Sequence, residues 1–134
     1  MKKNINNILL FLSFAVMLML AAQCTKKSAT AEDTIKKYYS SIDKSNFKGT
    51  NPEMIAGWAG KADNDKLYLE EFQRTIVDIF KQHQGLKEVK IISNTPGSSA
   101  SEAILNVDLV CNDGYTESVT QLMVKEGEDW KVVQ

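Results

Sequence analysis

The spacing of apolar residues after position 30 predicts a first amphipathic helix. Ile35, Tyr38, Tyr39 and Ile42 recur at intervals of three or four, while charged residues take the other side. Thr30 stands three residues before an acidic side chain, a variant of the capping box that begins many helices. We therefore expect a helix over residues 31–44.

Two further helical segments are predicted before the chain changes its pattern. The triplet Asn51-Pro52-Glu53 is a good helix start, and Met54, Ile55 and Trp58 follow it at helical spacing. Gly57 and Gly60 should keep this second helix short. A third helix starts at residues 63–65 and ends before Gly85, with an apolar face made of Leu67, Leu69, Phe72, Ile76, Ile79 and Phe80.

The remaining chain is typical of antiparallel strands. Strands are predicted over residues 86–94, 102–111, 115–125 and 129–134, separated by segments that contain glycine. The pair Asp113-Gly114 is a strong signal for a two-residue hairpin turn. Three helices followed by four strands predict an α+β domain in which the helices pack on one face of a curved antiparallel sheet.

A two-residue turn sets the predicted register of this hairpin. Leu109 then faces Ser118, Val107 faces Thr120 and Leu105 faces Leu122. This register places three hydroxyls, those of Thr116, Ser118 and Thr120, on the drier, helix-facing side. It places the carboxylates of Asp108 and Glu117 together on the wetter side.

The first 24 residues have the layout of an export signal. Lys2 and Lys3 precede an uncharged apolar run at residues 8–20, and the small residues Ala21 and Ala22 follow it. A retained membrane anchor is the alternative, although the run is short for a full membrane span.

Residues 20–24, Leu-Ala-Ala-Gln-Cys, resemble the signal of bacterial lipoproteins. The resemblance implies that Cys24 receives a diacylglycerol and that the chain is cut before it. Residues 1–23 are then the signal peptide, residues 24–29 a lipidated tether and residues 30–134 one domain. It also implies an exported protein held on a bacterial membrane by its lipid, at the periplasmic side of the inner or outer membrane or at the cell surface.

Composition and charge exclude some other classes of protein. The 134 residues are 43% hydrophobic and 25% charged, which is ordinary for a globular chain and unlike a disordered one. A net charge of −1 without a clustered basic face argues against binding to nucleic acid. Cys111 is expected to be a small buried side chain, although a disulfide with Cys24 is an alternative in an exported protein.

The order of elements over residues 30–134 resembles the nuclear transport factor 2-like superfamily, also called cystatin-like. The start of the first helix, the strand at residues 87–92 and the closing pattern of Gly127, Trp130 and Lys131 carry this resemblance. More narrowly, residues 30–134 resemble the lumazine-binding-like domains of small bacterial lipoproteins, whose function is unknown. The superfamily includes isomerases, dehydratases, ligand carriers and inert partner domains, so the fold does not choose among them.

The candidate chemistry is sparse, and we expect neither a cofactor nor a metal site. His83 is expected to be a solvated residue in the last turn of the third helix, because no other metal ligand stands at a suitable spacing. Asp108 and Glu117 form a carboxylate pair suited to acid–base work if they share a pocket. Tyr38, Tyr39 and Tyr115 are candidates for the lining of a ligand cavity, and Trp58 is a candidate for a mobile wall of it. The alternative role of the three tyrosines is to pack in the core, or to be half-buried with a solvated hydroxyl.

The hydroxyls of Thr116, Ser118 and Thr120 are the candidate polar lining of that cavity. Their alternative role is to bond neighbouring backbone groups.

Two hypotheses about function remain open. The first is a non-catalytic module on the cell envelope that binds a small ligand or a protein partner, including a second copy of itself. The second is a small cavity enzyme, of isomerase or hydratase type, that uses Asp108 or Glu117 as its acid or base. No residue is assigned as catalytic, and the first hypothesis is favoured because a catalytic signature is missing.

Overall fold

The computed structural model describes residues 28–44 and 52–134. Its elements are α1 (Ala31–Lys44), α2 (Asp63–Gln82), β1 (Leu86–Pro96), β2 (Glu102–Cys111), β3 (Thr116–Glu126) and β4 (Asp129–Val132). The predicted signal peptide, the lipidation site Cys24 and the helix start at Asn51 lie outside the described residues. Within the described residues, no helix has the length and apolar character needed to cross a bilayer.

Helix α1 begins where its capping residues predict. The Asp33 amide donates to Thr30 Oγ1 at 3.1 Å, and the Thr30 amide donates back to Asp33 Oδ2 at 3.2 Å. The hydrogen bonds from the Thr30 backbone and hydroxyl lower the pKa of Asp33. The predicted apolar face, from Ile35 to Ile42, is buried against the sheet.

The predicted second helix is wrong. The described part of the segment forms two 3-10 turns, Pro52–Met54 and Trp58–Gly60, so residues 28–44 and 52–134 contain two α-helices where three were predicted. Gly57 adopts a left-handed conformation with φ of +61° between the two turns, which no continuous right-handed helix accommodates. Between these turns, Ile55 forms a parallel bridge with Val132 at the outer edge of β4.

Helix α2 is rotated relative to the predicted apolar face. Leu69, Ile76 and Phe80 are buried as expected, and Gln73 joins them with 1% of its surface exposed. Leu67 is 62% exposed and Phe72 is 38% exposed, so these two predictions are wrong. A pattern of apolar residues does not identify a buried glutamine. The prediction therefore placed the centre of the buried face at the wrong angle around the helix axis.

The four strands form one antiparallel sheet in the order β1-β2-β3-β4. Residues of β2 alternate between the two faces, and the buried set faces the helices: Ala103, Leu105, Val107, Leu109 and Cys111. The inner face of the sheet and the two helices enclose a single core. The architecture is the predicted α+β arrangement with helices on one face.

The predicted hairpin register is wrong by one residue on β3. Leu109 pairs with Glu117 and Val107 pairs with Val119, whereas Ser118 pairs with Asp108. The turn has three residues, because the Gly114 amide donates to the Cys111 carbonyl and the Cys111 amide donates to the Tyr115 carbonyl. Gly114 has φ of +92°, which fits a type I turn closed by a glycine bulge. One extra loop residue moves every β3 side chain to the opposite face.

Candidate functional site

The space between the helices and the sheet is filled by aromatic side chains. Tyr38 and Tyr39 have 0% of their surface exposed, and their rings meet edge to face with centroids 5.1 Å apart. Leu105 and Met123, on the inner face of the sheet, are also fully buried. Tyr38 and Tyr39, predicted to line a cavity, therefore occupy the space where that cavity was expected.

Glutamines satisfy the hydroxyl groups inside this filled space. Gln73 Nε2 donates to the Tyr38 hydroxyl at 3.0 Å, and the Tyr39 hydroxyl donates to Gln121 Oε1 at 3.4 Å. Gln121 Nε2 donates to the Val133 carbonyl at 2.7 Å. Burial raises the pKa of both tyrosines, which keeps them neutral. Among the described residues, no buried side-chain nitrogen or oxygen lacks a partner.

The three candidate hydroxyls lie on the outer face of the sheet, away from the helices. The Ser118 hydroxyl donates to Asp108 Oδ1 at 2.7 Å, and the Thr120 hydroxyl donates to Asn106 Oδ1 at 2.7 Å. Asn106 Nδ2 in turn donates to the Ser93 hydroxyl at 2.8 Å. Thr116, the third of them, is exposed at the start of β3. These side chains form a polar ladder across the strands and do not line an interior.

The two candidate carboxylates are on opposite faces of the sheet. Asp108 belongs to the outer polar ladder, whereas Glu117 pairs with the buried Leu109 and points to the inner face. A pair that shares a proton needs its oxygens within hydrogen-bond reach. The predicted placement of both groups on one face is therefore wrong, for the same reason as the register.

Trp58, the remaining candidate wall residue, is half-buried on the second 3-10 turn. Its ring packs against the core, and Lys66 Nζ lies 5.5 Å from the ring centroid. This contact is a cation–π interaction between the turn and the first part of α2. The structure does not bring Trp58 together with the candidate hydroxyls of β3.

A polar cluster that the sequence analysis did not assemble lies at the tip of the β2–β3 hairpin. We call His83, Asp113, Tyr115 and Glu117 the hairpin-tip cluster. The His83 and Tyr115 rings stack at 3.8 Å with an angle of 7° between their planes. His83 Nδ1 lies 2.7 Å from Asp113 Oδ2, and the Tyr115 hydroxyl donates to Glu117 Oε2 at 2.6 Å.

Position in the chain explains how the hairpin-tip cluster forms. His83 follows the last residue of α2 and is not a fully solvated side chain, since its side chain is 27% exposed and is held by Asp113. The Tyr115 amide donates to Asp113 Oδ1 at 2.9 Å. This bond, followed by the one with His83, lowers the pKa of Asp113, while the bond to Glu117 raises the pKa of Tyr115. No sequence spacing signals the cluster, because 30 residues separate His83 from Asp113.

The hairpin-tip cluster holds the imidazole in one orientation, since an ionised carboxylate accepts the proton on Nδ1. Such a dyad can exchange a proton through its other nitrogen. Cys111 lies beneath the turn with 1% exposure, and burial together with the charge of Asp113 raises the pKa of its thiol. Within the described residues, no group of three potential ligands is arranged to hold a metal ion.

Two surface grooves mark opposite ends of the domain. A groove of about 580 Å³ lies beside the first described residues, with Ser28, Lys125 and Trp130 among its walls. A second groove, of about 420 Å³, lies at the far end of α1 between Lys36 and Lys87. Lys125 Nζ is 5.6 Å from the Trp130 ring centroid.

Comparison with known proteins identifies the fold. The structure is similar to the crystal structure of a Campylobacter jejuni protein provisionally described as an NTF2-like transpeptidase, with a TM-score of 0.62 and 18% identity. The match covers 79% of this chain and 99% of the other. The chain therefore has a nuclear transport factor 2-like α+β fold. No protein-family model matches the sequence. No curated protein matches it either.

Proposed function

We propose that this protein is a lipid-anchored, non-catalytic interaction module of the bacterial cell envelope. The observation that carries the proposal is the filled interior, in which Tyr38 and Tyr39 take the space between the helices and the sheet. A small-molecule site needs a concave, partly empty pocket with a few convergent polar groups. Here the polar groups of the interior bind one another, so recognition takes place on the surface.

The placement of the candidate acids argues against the cavity-enzyme hypothesis. Asp108 bonds to Ser118 on the outer face, and Glu117 receives the Tyr115 hydroxyl at the hairpin tip. The acid–base pair of His83 and Asp113 lies at the surface, where no enclosed space would exclude water from a reaction.

The description of the Campylobacter jejuni protein raises acyl transfer as a specific activity to test against the residues of this chain. Transpeptidation needs a serine or cysteine activated by a neighbouring base. Cys111 is buried with a raised pKa, so its thiol stays protonated. The hydroxyl of Ser118 bonds to a carboxylate and to no imidazole among the described residues. The described part of the chain thus supports the fold of that protein and gives no support to its described activity.

The anchor supplies an orientation for the module. The described structure begins at Ser28, four residues after Cys24, and a chain of that length spans at most about 14 Å. The groove beside Ser28 and Trp130 then faces the bilayer at close range. Helix α1 has 14 residues and runs for about 21 Å, so it carries the hairpin-tip cluster away from the membrane.

Metabolic labelling with an alkyne analogue of palmitate tests the anchor. The full chain, expressed in an exporting bacterial host, should take up the label, and Cys24→Ser should remove it. Cys111→Ser is the matched control and should keep it. Label that persists in Cys24→Ser, or is missing from the unaltered chain, would show that the anchor is misassigned.

Native mass spectrometry tests the filled interior. Residues 26–134, purified from an exporting host, should have the mass of the polypeptide alone. A mass excess that disappears on denaturation would show a captured small molecule, and this result would replace the interaction module with a ligand carrier.

A further inference from the structure

The turn between β3 and β4 lies at the end of the domain where the described chain begins. Ser28, Lys125 and Trp130 line one groove there, and the Lys125 amide donates to the Ser101 carbonyl at 2.8 Å. Trp130 is half-buried, and Lys125 Nζ lies 5.6 Å from the centroid of its ring. A tryptophan with a cation over its ring therefore stands next to the first described residues.

The second tryptophan lies at the same end. The Gly57 amide donates to Glu126 Oε1 at 2.6 Å, which joins the 3-10 turn of Trp58 to the last residue of β3. Trp58 is also half-buried, and Lys66 Nζ lies 5.5 Å from its ring centroid. The chain contains two tryptophans, so both of them, each with a lysine over its ring, are at the end that leads to Cys24.

The first turns of α2 reach this end as well. Helices α1 and α2 run in the same direction, because Gln73 bonds to Tyr38 and the last turn of α2 shares a groove with Asp43 near the end of α1. Leu67 precedes Gln73 by about 9 Å of helix, and the start of α1 precedes Tyr38 by about 10 Å. Leu67 therefore lies level with the start of α1, at the end that carries both tryptophans.

Leu67 and its neighbour Tyr68 are the most exposed large apolar side chains of the described residues. Leu67 is 62% exposed and Tyr68 is 73% exposed. Single exposed apolar residues are ordinary, but two neighbours at the end that carries both tryptophans mark an interaction surface. We call the following set the anchor-side face: Trp58, Lys66, Leu67, Tyr68, Lys125 and Trp130.

We propose that the anchor-side face rests on the phospholipid bilayer, with its aromatic and apolar side chains at the level of the lipid headgroups. Tryptophan and tyrosine favour this layer, because their rings are apolar while their N–H and O–H groups stay hydrated. The lysines beside them bind lipid phosphates and cover apolar surface with their stems. The inference rests on the lipid anchor of the proposed function and names the bilayer itself as a partner of the module.

The position of the lipid selects this occupant. From Ser28 back to Cys24 the chain spans at most about 14 Å, so the anchor-side face stays close to the bilayer once Cys24 is lipidated. Confinement at this range raises the effective concentration of the face at the bilayer, and a small apolar contact is then enough to hold it there. A protein partner at this end would have to enter the narrow gap between the domain and the lipid.

The charges around the anchor-side face favour a zwitterionic lipid. Exposed carboxylates lie in the first turn of α2 and in the β3–β4 turn, at Asp63, Asp65, Glu126, Glu128 and Asp129. A surface that carries both signs is not drawn to an anionic membrane as a basic cluster would be. Phosphatidylethanolamine, in contrast, offers a phosphate to the lysines and an ammonium to the carboxylates. The apolar side chains, and not the net charge, therefore supply the free energy of the contact.

Tryptophan fluorescence of the lipidated full chain measures this contact. The protein is purified from cell envelopes and reconstituted into vesicles of phosphatidylethanolamine and phosphatidylcholine. Part of the phosphatidylcholine is brominated on its acyl chains close to the headgroup, and the bromine quenches fluorescence only at short range. Brominated vesicles should lower the fluorescence of both Trp58→Phe and Trp130→Phe, because each variant keeps one tryptophan in the anchor-side face. Quenching that is absent from either variant would overturn the proposal.

A tryptophan at the opposite end of the domain is the matched control. Tyr115 precedes β3, whose 11 residues span about 34 Å before the strand reaches the anchor-side face. Tyr115→Trp, combined with Trp58→Phe and Trp130→Phe, should fluoresce equally in brominated and unbrominated vesicles and should be quenched by aqueous iodide. Bromine quenching equal to that of the other two variants would show a domain without this orientation and would overturn the proposal.

A further pair of variants tests the apolar side chains. Leu67→Glu/Tyr68→Glu changes two exposed positions and leaves the core intact. Calculated from the bromine quenching, the ratio of bilayer-bound to free domain should fall at least about tenfold, because these side chains no longer gain free energy on leaving water. Ile92→Glu is the matched control, since Ile92 is 53% exposed on β1 and lies about 13 Å before the end of that strand. Equal quenching of the two variants would refute the role of Leu67 and Tyr68.

The palmitate labelling separates a failure of this inference from a failure of the proposed function. A labelled chain whose tryptophans are not quenched leaves the anchored module standing and overturns the bilayer contact. An unlabelled chain overturns the anchor and the contact together.

Discussion

The filled interior can be tested by removing one hydroxyl group. In Tyr38→Phe the ring stays in place, but Gln73 Nε2 loses the oxygen to which it donates at 3.0 Å. Gln73 is 1% exposed, so water has no access to its amide. A buried donor left without a partner costs about 1–3 kcal/mol in the free energy of unfolding.

Tyr39→Phe is the matched control. Its hydroxyl is equally buried, but its bond to Gln121 Oε1 is long, at 3.4 Å, and Gln134 Nε2 also donates to that oxygen. We therefore expect a loss below about 1 kcal/mol, because long hydrogen bonds are weak. The double variant Tyr38→Phe/Gln73→Leu should recover most of the loss, since apolar replacement of both partners can be nearly neutral.

Equilibrium urea unfolding of the purified protein, followed by tryptophan fluorescence, measures these differences. With a slope of about 1–3 kcal/mol per molar urea, Tyr38→Phe should lower the midpoint by about 1 M while Tyr39→Phe barely moves it. A water-filled cavity would hydrate Gln73 and hide the loss of the Tyr38 hydroxyl. Equal midpoints for Tyr38→Phe and the unaltered protein would therefore refute the filled interior.

Two further predictions concern the loop after β1 and the hairpin tip. Gly97→Ala should lower the unfolding free energy by about 1–3 kcal/mol, because a Cβ at that position would lie 2.5 Å from Glu102 Cβ; Gly60→Ala, in open space, should change the thermal midpoint little. Asp113 has a lowered pKa in the folded protein, so its contribution to stability is complete above its ordinary value of 3.8 and is lost as the pH falls below that value. Asp113→Asn should flatten the fall of the thermal midpoint between about pH 5 and pH 2, and a pH profile identical to that of the unaltered protein would contradict this assignment.

Local signals were sufficient for the regular elements. The capping pair Thr30 and Asp33 set the start of α1, and both bonds of the box are present. The alternating pattern of β2 was read correctly because its inner positions are all apolar or small. Helix α2 was predicted with the right bounds but the wrong rotation, since Gln73 is buried by a specific bond to Tyr38.

The candidate site was harder to predict because it depends on one loop residue. The sequence Asp113-Gly114 is compatible with a two-residue turn and with a three-residue turn closed by a glycine bulge. The second is present, and it turns Thr116, Ser118 and Thr120 outward. The two turn types differ little in local conformational energy. The free energy gained by burying the side chains of Val119 and Met123 on the inner face is larger, because the register sets the facing of the whole strand.

The hairpin-tip cluster shows the same limit for chemistry. His83 and Asp113 are far apart in sequence, and they meet because the end of α2 and the β2–β3 turn reach the same end of the sheet. Neither His83 nor Asp113 belongs to a sequence motif whose spacing predicts this contact.

The amino-acid sequence by itself determined the composition, the position of Cys24 after an apolar run, the α-then-β order and the bounds of α1 and β2, because these depend on neighbours within a few residues. The tertiary structure decided the register of β3, the filling of the interior by Tyr38 and Tyr39, and the contact of His83 with Asp113 at the hairpin tip. These features depend on which elements meet in space, and the free energy that selects them comes from burial across the whole domain.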